Sequence, residues 1–231
     1  MSNVLYLVPA PIGEKSAINP AVKNIIHTTS VYIVEELRTT RRYIKSIIPE
    51  KDINLCTFRE FNEHNCNESI EDIRTIFKNG QDAALISEAG IPCVADPGWQ
   101  VVRMAHSCGM KVVPVSGPSS IFMALMASGL QGQRFMFHGY LPVKKDERLK
   151  YIRDIEQKIN RDNATQIFIE TPYRNNSVFE DLVNNLNPSL ILSVSAGLDT
   201  EEAFIKTMSV KEWKTQKPEL HKVPAVFVVG R

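Results

Sequence analysis

The sequence is most telling at first in what it lacks. No segment approaches the length of a membrane span. No basic region precedes the apolar run 4–8, which is too short for a secretory signal. The N-x-[ST] matches at Asn67, Asn163 and Asn175 therefore carry no weight. Cys56, Cys66, Cys93 and Cys108 are scattered with no C-x-x-C pair, which argues against a zinc site or a disulfide framework. They are expected to be reduced, mostly buried thiols in a cytoplasmic protein. Charge of one sign is missing too: 27 lysines and arginines face 26 acids, for a net charge of +1. No global positive field marks a nucleic-acid binder, so any such contact needs a local patch. Neither G-x-x-x-x-G-K-[ST] nor G-x-G-x-x-G occurs, which disfavours an ATPase and a Rossmann dinucleotide site. There is no low-complexity segment and no repeat of fixed period.

What is present is an ordinary globular composition, 43% apolar and 23% charged. Its 231 residues suffice for one large domain or two small ones. Short β-rich runs at 4–8, 31–34, 82–87 and 111–115 alternate with helical patterns, including Ile70, Ile73 and Phe77. Such alternation predicts a mostly parallel, doubly wound sheet. The pattern restarts with strand candidates at 134–138, 165–170 and 190–195. Helical stripes lie at Leu149, Ile152, Ile155 and Ile159, and at Val178, Phe179, Leu182, Val183 and Leu186. Two late strands, 203–208 and 223–229, are separated by one short helix near 210–214. Strands so close in sequence usually pair antiparallel, so the second sheet should be mixed. Gly117-Pro118 breaks the chain after the fourth strand. The expectation is α/β with two lobes, 1–116 and 117–231.

Three loops following strands of the first sheet carry the richest chemistry. Ser87-Glu88-Ala89-Gly90-Ile91-Pro92-Cys93-Val94-Ala95-Asp96-Pro97-Gly98 follows a buried strand and precedes a helix beginning near Gln100. Ligands of open α/β sheets bind at such carboxyl ends. Pro9-Ala10-Pro11-Ile12-Gly13 forms a stiff turn after the first strand. Ser116-Gly117-Pro118-Ser119-Ser120 offers helix-capping hydroxyls. Beside them, Arg38, Arg41, Arg42 and Lys45 share one face of a helical segment, a stripe suited to phosphates. Glu63-His64-Asn65 is a polar cluster with acid–base potential, and residues 144–148 look like a mobile charged loop opening a helix.

Together these segments resemble the S-adenosylmethionine-dependent methyltransferases of the tetrapyrrole-methylase superfamily. They are most similar to the 16S ribosomal RNA cytidine 2′-O-methyltransferases. The family's A-T-P-I-G-N resembles Ala10-Pro11-Ile12-Gly13-Glu14 after Pro9, and its A-E-D-T-R resembles Val34-Glu35-Glu36-Leu37-Arg38. Its H-E-H-N resembles Asn62-Glu63-His64-Asn65, and its S-D-A-G-T-P-x-I-S-D-P-G resembles the 87–98 loop. Its P-G-P-S-A, F-L-P-x-K-K and Y-E-S-P-H-R resemble 116–120, 140–145 and 169–174. Two departures stand out. Glu36 replaces the Asp of A-E-D-T-R, and Ser195-Ala196-Gly197-Leu198-Asp199 stands where the RNA-modifying branch shows R-E-L-T-K. The cofactor-side motifs are thus better kept than the acceptor-side ones, which leaves a small tetrapyrrole-like molecule or a protein residue as alternative acceptors.

The resemblance implies two α/β lobes with S-adenosylmethionine in the cleft between them and no metal. It implies cofactor contacts from Pro11, Ser87, Glu88, Ala89, Val94, Ser116, Ser119, Ser120, Ile169, Leu198, Pro224 and Ala225. Glu36, Arg38, His64 and Asp96 are the candidates for handling the acceptor, with Glu36, His64 or Asp96 taking the proton and Arg38 holding a phosphate. The implied partners are ribosomal RNA or the small ribosomal subunit, and a second copy of the chain.

Overall fold

The computed structural model describes residues 3–231, and for 66–68 it describes the backbone alone. The chain divides into two compact units, 1–12 with 16–119, and 13–15 with 120–231.

The first unit holds five parallel strands, β1 (Val4–Val8), β2 (Val31–Val34), β3 (Thr57–Glu60), β4 (Ala83–Ile86) and β5 (Lys111–Pro114), in the order β3-β2-β4-β1-β5. Helices α1 (Pro20–Thr28) and α2 (Leu37–Ile47) cover one face, with Val22, Ile26, Ile44 and Ile47 packed on Val8, Tyr32, Val34 and Ile86. Helices α3 (Cys66–Lys78) and α4 (Trp99–Ser107) cover the other, with Ile73, Phe77, Val101 and Ala105 packed on Leu5, Ile33 and Leu85. Right-handed crossovers demand this split, because the connections after β1 and β2 run in one direction along the sheet and those after β3 and β4 in the other. Central strands β2 and β4 are buried at every position, as parallel strands covered on both faces must be.

The second unit holds β6 (Phe135–Tyr140), β7 (Thr165–Glu170), β8 (Ile191–Ala196), β9 (Phe204–Ser209) and β10 (Ala225–Gly230), in the order β6-β7-β10-β8-β9. Only β6 and β7 are parallel; the other pairs are antiparallel, so the sheet is mixed as expected. Its helices are α5 (Ser120–Ala127), α6 (Lys145–Asp162), α7 (Asn175–Asn185) and the single turn α8 (Val210–Trp213). Ile152, Ile155 and Ile159 of α6 and Val178, Phe179 and Leu182 of α7 pack with Phe168, Val194 and Phe227. Among the described residues no helix is long and apolar enough to cross a membrane.

Four expectations need correction. The two late strands do not pair with each other: β8 lies between β9 and β10 and is antiparallel to both. The short helix α8 and the segment after it give the chain room to pass over β8. Edge strand β3 went unforeseen, because it is mostly exposed and Phe58 is its one large apolar residue. Residues 144–148 are mostly helical, and Arg148 is buried. Finally, Cys56, Cys93 and Cys108 are free but only half-buried, and the side chain of Cys66 lies outside the described residues.

Candidate active site

In the first unit, the loop after β4 turns toward the α4 face, while the loops after β1 and β2 turn toward the α1 and α2 face. The carboxyl ends on either side of β4 are therefore where the sheet opens a crevice. The loops there are laced together. Ala10 and Gly90 exchange two backbone hydrogen bonds of 2.9 and 3.0 Å. The Ser87 hydroxyl donates to the Gly90 carbonyl at 2.7 Å, and Gly90 sits at φ +73°, which favours a residue without Cβ. Gly117 of the 116–120 turn lies so close to Pro9 that an added Cβ would stand 2.2 Å from its Cβ and Cγ. Asn19, the N-cap of α1, donates to the Ser116 carbonyl at 3.1 Å. Thus 9–12, 87–90 and 116–118 form one wall in which Ala and Gly keep backbone groups accessible. Gly117→Ala should force Pro9 and the turn apart. The expected cost is about 1–3 kcal/mol, as for other overpacked sites, and thermal unfolding will read it.

Asp96 closes the 87–98 loop on itself. One carboxylate oxygen accepts from Cys93 N at 2.8 Å and the other from Gly98 N at 2.7 Å. These bonds hold Cys93 and Ala95 at φ +70° and +65°. Burial nonetheless raises the Asp96 carboxyl above its ordinary pKa, and burial with the nearby Asp96 charge pushes the Cys93 thiol up to about 12. Ala89 and Val94 are exposed beside this tied core.

The other candidate acid–base groups differ sharply. Glu36 caps α2, accepting from Arg38 N and Thr39 N, and the Thr39 side-chain hydrogen bond, these amide bonds and the Arg38 charge hold it below the usual carboxylate range. Arg38 is exposed. His64 is exposed in the turn before α3, where its amide donates to Asn62 Oδ1 at 3.0 Å. Glu35 was not singled out from sequence. It is half-buried and accepts from Glu88 N at 3.2 Å. Burial raises its pKa, and the charges of Asp96, Glu88 and Glu63 add to the effect. The signal for it was its place as the first acid of Glu35-Glu36, pointing away from the helix cap.

Helix α2 borders the crevice. A groove of about 280 Å³ is lined by Pro11, Thr39, Arg42, Tyr43, Ser46 and Ser87 among others. The Tyr43 hydroxyl donates to the Pro9 carbonyl at 3.2 Å, and burial lifts its pKa to about 12. Arg38, Arg41, Arg42 and Lys45 all lie exposed on α2, with Arg41 4.9 Å above the Phe58 ring.

In the second unit, the register gathers Ile169, Leu198, Pro224 and Ala225 at one end of the sheet. Val226 faces Ile169 and Ser195, Ala225 faces Glu170 and Ala196, and Gly197 N donates to the Pro224 carbonyl at 3.0 Å. A Cβ on Gly13 would stand 2.4 Å from the Asp199 carbonyl oxygen, and Lys15 N donates to that oxygen at 2.9 Å. Ser195 Oγ is buried without a hydrogen-bond partner in the row of Ile169. Ser119 ends the first unit and Ser120 begins α5 in the second. Among the described residues no cluster of three metal-binding side chains occurs.

The solved structure of the methyltransferase CobJ is similar over 100% of this chain and 95% of its own, with a TM-score of 0.66 at 15% identity, a likeness of fold. The family profile described as Tetrapyrrole (Corrin/Porphyrin) Methylases matches residues 4–211, and the chain belongs to this family. Proteins named Ribosomal RNA small subunit methyltransferase I are similar in sequence. That of Xylella fastidiosa is 34% identical over 77% of this chain and 62% of its own length. That of Mesorhizobium japonicum is 36% identical over 74% of this chain and 55% of its own. That of Buchnera aphidicola is 29% identical over 99% and 76%. The chain thus spans about three fifths of the length of the first two relatives.

Proposed function

We propose that the chain is an S-adenosylmethionine-dependent methyltransferase that methylates a ribose 2′-hydroxyl of ribosomal RNA in the small subunit. The observation that carries this reading is the sequence likeness to small-subunit methyltransferases, which extends over three quarters of the chain at 34% identity. The site fits the donor. In the first unit, the wall of 9–12, 87–90 and 116–118 offers backbone groups and small side chains suited to adenine and methionine ends; the second unit, taken by itself, offers apolar side chains at Ile169, Leu198 and Ala225. The orphaned Ser195 hydroxyl is a buried polar atom with capacity for a ligand. When bound, the donor supplies a methyl group already activated on sulfonium.

This chain's residues then have three tasks. The wall fixes the donor, because in-line orientation is worth roughly 7–11 kcal/mol of the barrier. The α2 stripe holds phosphates, with Arg42 lining the groove and Arg38 exposed at the start of the helix. A carboxylate accepts the hydroxyl proton, and Glu35 is better suited than Glu36 or Asp96. Glu36 is bound to its helix, both Asp96 oxygens are taken by amides, and Glu35, half-buried with one amide partner, has its pKa raised by burial. We place the protein in the cytoplasm with its substrate, as a homodimer. Exposed Phe122 and Met126 of α5 and Phe135 and Met136 of β6 are apolar surface for a second copy. Tritiated methyl transfer to small subunits from a strain lacking the gene tests the reading. Label in the RNA is expected, from a species sedimenting at twice 26.1 kDa. Donor binding with no label in RNA would reject the RNA acceptor.

A further inference from the structure

Two arginines of the second unit are spent on one loop. The Arg148 guanidinium is buried. Its Nε donates to Asp181 Oδ2 at 2.8 Å, and its Nη2 stands 2.6 Å from the same carboxylate. Its Nη1 donates to the carbonyls of Pro142 at 3.2 Å and Val143 at 2.9 Å. Arg174 lies 2.9 Å from the buried Glu170 Oε2, as an ion pair off the line of a hydrogen bond. Its Nη2 donates to the carbonyls of Leu141 at 2.9 Å and Pro142 at 3.1 Å. Three consecutive carbonyls between β6 and α6 are therefore tied from beneath by two charged forks. Removing such charges from water costs several kcal/mol each, offset only where the other donors are also satisfied. Here Nη1 of Arg148 and Nη2 of Arg174 are given to the loop backbone.

The loop's outer side is the opposite of its underside. Tyr140 is 53% exposed and Val143 74%, and the side chains of Lys144 and Lys145 are 81% and 70% exposed. Lys144 meets only the exposed Glu147, at 3.3 Å, and Lys145 stands 4.0 Å from Asp181, whose charge is already taken by Arg148, so both lysine charges remain available. An aromatic ring and two cations on a backbone that cannot wander form a binding element for single-stranded nucleic acid, where rings stack on bases and lysines meet phosphates. A fixed backbone also avoids the ordering cost that a floppy loop incurs on binding.

We propose that residues 140–145 are a preformed contact arm for single-stranded ribosomal RNA, with Arg148 and Arg174 as its positioning residues. The proposal rests on the reading that the methyl acceptor is RNA. The test compares wild type, Lys144→Ala/Lys145→Ala and Arg174→Lys. It measures binding to 16S ribosomal RNA and to small subunits at several salt concentrations, donor affinity by calorimetry, and thermal stability. The double lysine variant should bind RNA about tenfold more weakly, with a salt slope lower by roughly 1.4, the share of two phosphate contacts on a single strand. Its donor affinity and stability should match wild type. Arg174→Lys keeps the charge but loses the fork. It should raise the KM for small subunits severalfold at unchanged donor affinity, with faster amide exchange at 143–145. Wild-type RNA binding and slope in the double variant would overturn the arm while leaving the RNA reading intact. An unchanged KM in Arg174→Lys would overturn the positioning role. If wild type binds the donor but neither RNA nor subunits, both the arm and the RNA reading fall, and a small tetrapyrrole-like molecule or a protein residue takes the place of RNA as acceptor.

Discussion

Replacing Glu35 by glutamine should slow methyl transfer to small subunits by about 10²–10⁴-fold, the usual worth of a positioned base, with donor affinity retained. The argument is comparative. A proton acceptor for a ribose hydroxyl needs a free oxygen lone pair and a pKa near the working pH. Glu36 has lone pairs committed to Arg38 N and Thr39 N and a lowered pKa. Asp96 has a raised pKa, but each of its oxygens accepts a backbone amide that sets the loop. Glu35 has a raised pKa and accepts one backbone amide, Glu88 N, on Oε2. Glutamine keeps an acceptor for that amide, so the fold should survive. The rate against pH should rise on its acid limb as Glu35 ionises, and Glu35→Gln should lose that limb. Stability should move the other way. Below the ordinary Glu pKa of about 4.3 both states of the wild type hold the proton, so glutamine gains nothing. As pH rises through the raised folded-state value, the wild type must bury a charge beside three other acids, and the variant's advantage in thermal unfolding should grow. Turnover at the wild-type rate in Glu35→Gln would remove Glu35 from the mechanism.

Glu35 marks the boundary between what is local and what is tertiary at this site. The three loops were legible because prolines and glycines after buried strands are local signals, and all three follow strands that are neighbours in the sheet. The order β3-β2-β4-β1-β5 was not legible, because nothing local says that β4 inserts beside β1. Adjacent acids Glu35 and Glu36 look alike in sequence. They differ only in what surrounds them: one side chain turns back to cap α2, and the other faces the 87–98 loop. That difference is tertiary. The burial of Arg148 is tertiary in the same way. In a run of Lys144-Lys145-Asp146-Glu147-Arg148 it looks like one more solvated charge, and its partner Asp181 lies 33 residues away. The late strands failed on topology, since two strands near in sequence need not touch when a third can slip between them.

Asp181→Ala should destabilise the second unit by about 3–5 kcal/mol, the cost of breaking one side of a buried ion pair. Asp181 is 7% exposed and Arg148 6%, so water cannot replace the lost carboxylate. The guanidinium would keep its two carbonyl partners but lose its counter-charge and the partner of its Nε. The consequence is worse than the loss of a contact, because a buried charge is left uncompensated. A second substitution separates the two effects. Arg148→Met with Asp181→Leu removes both charges and fills the space with apolar atoms beside Ile152 and Leu182. By the same principle this pair should recover most of the lost stability. It should not recover the loop. Without the guanidinium, the carbonyls of Pro142 and Val143 lose donors that no apolar side chain supplies. The double variant should therefore unfold near the wild-type temperature, yet show faster amide exchange at 143–145 and weaker RNA binding. If RNA binding returned together with stability, the arginine would serve the fold alone. If stability returned and RNA binding did not, the charge is kept in the core for the loop it holds.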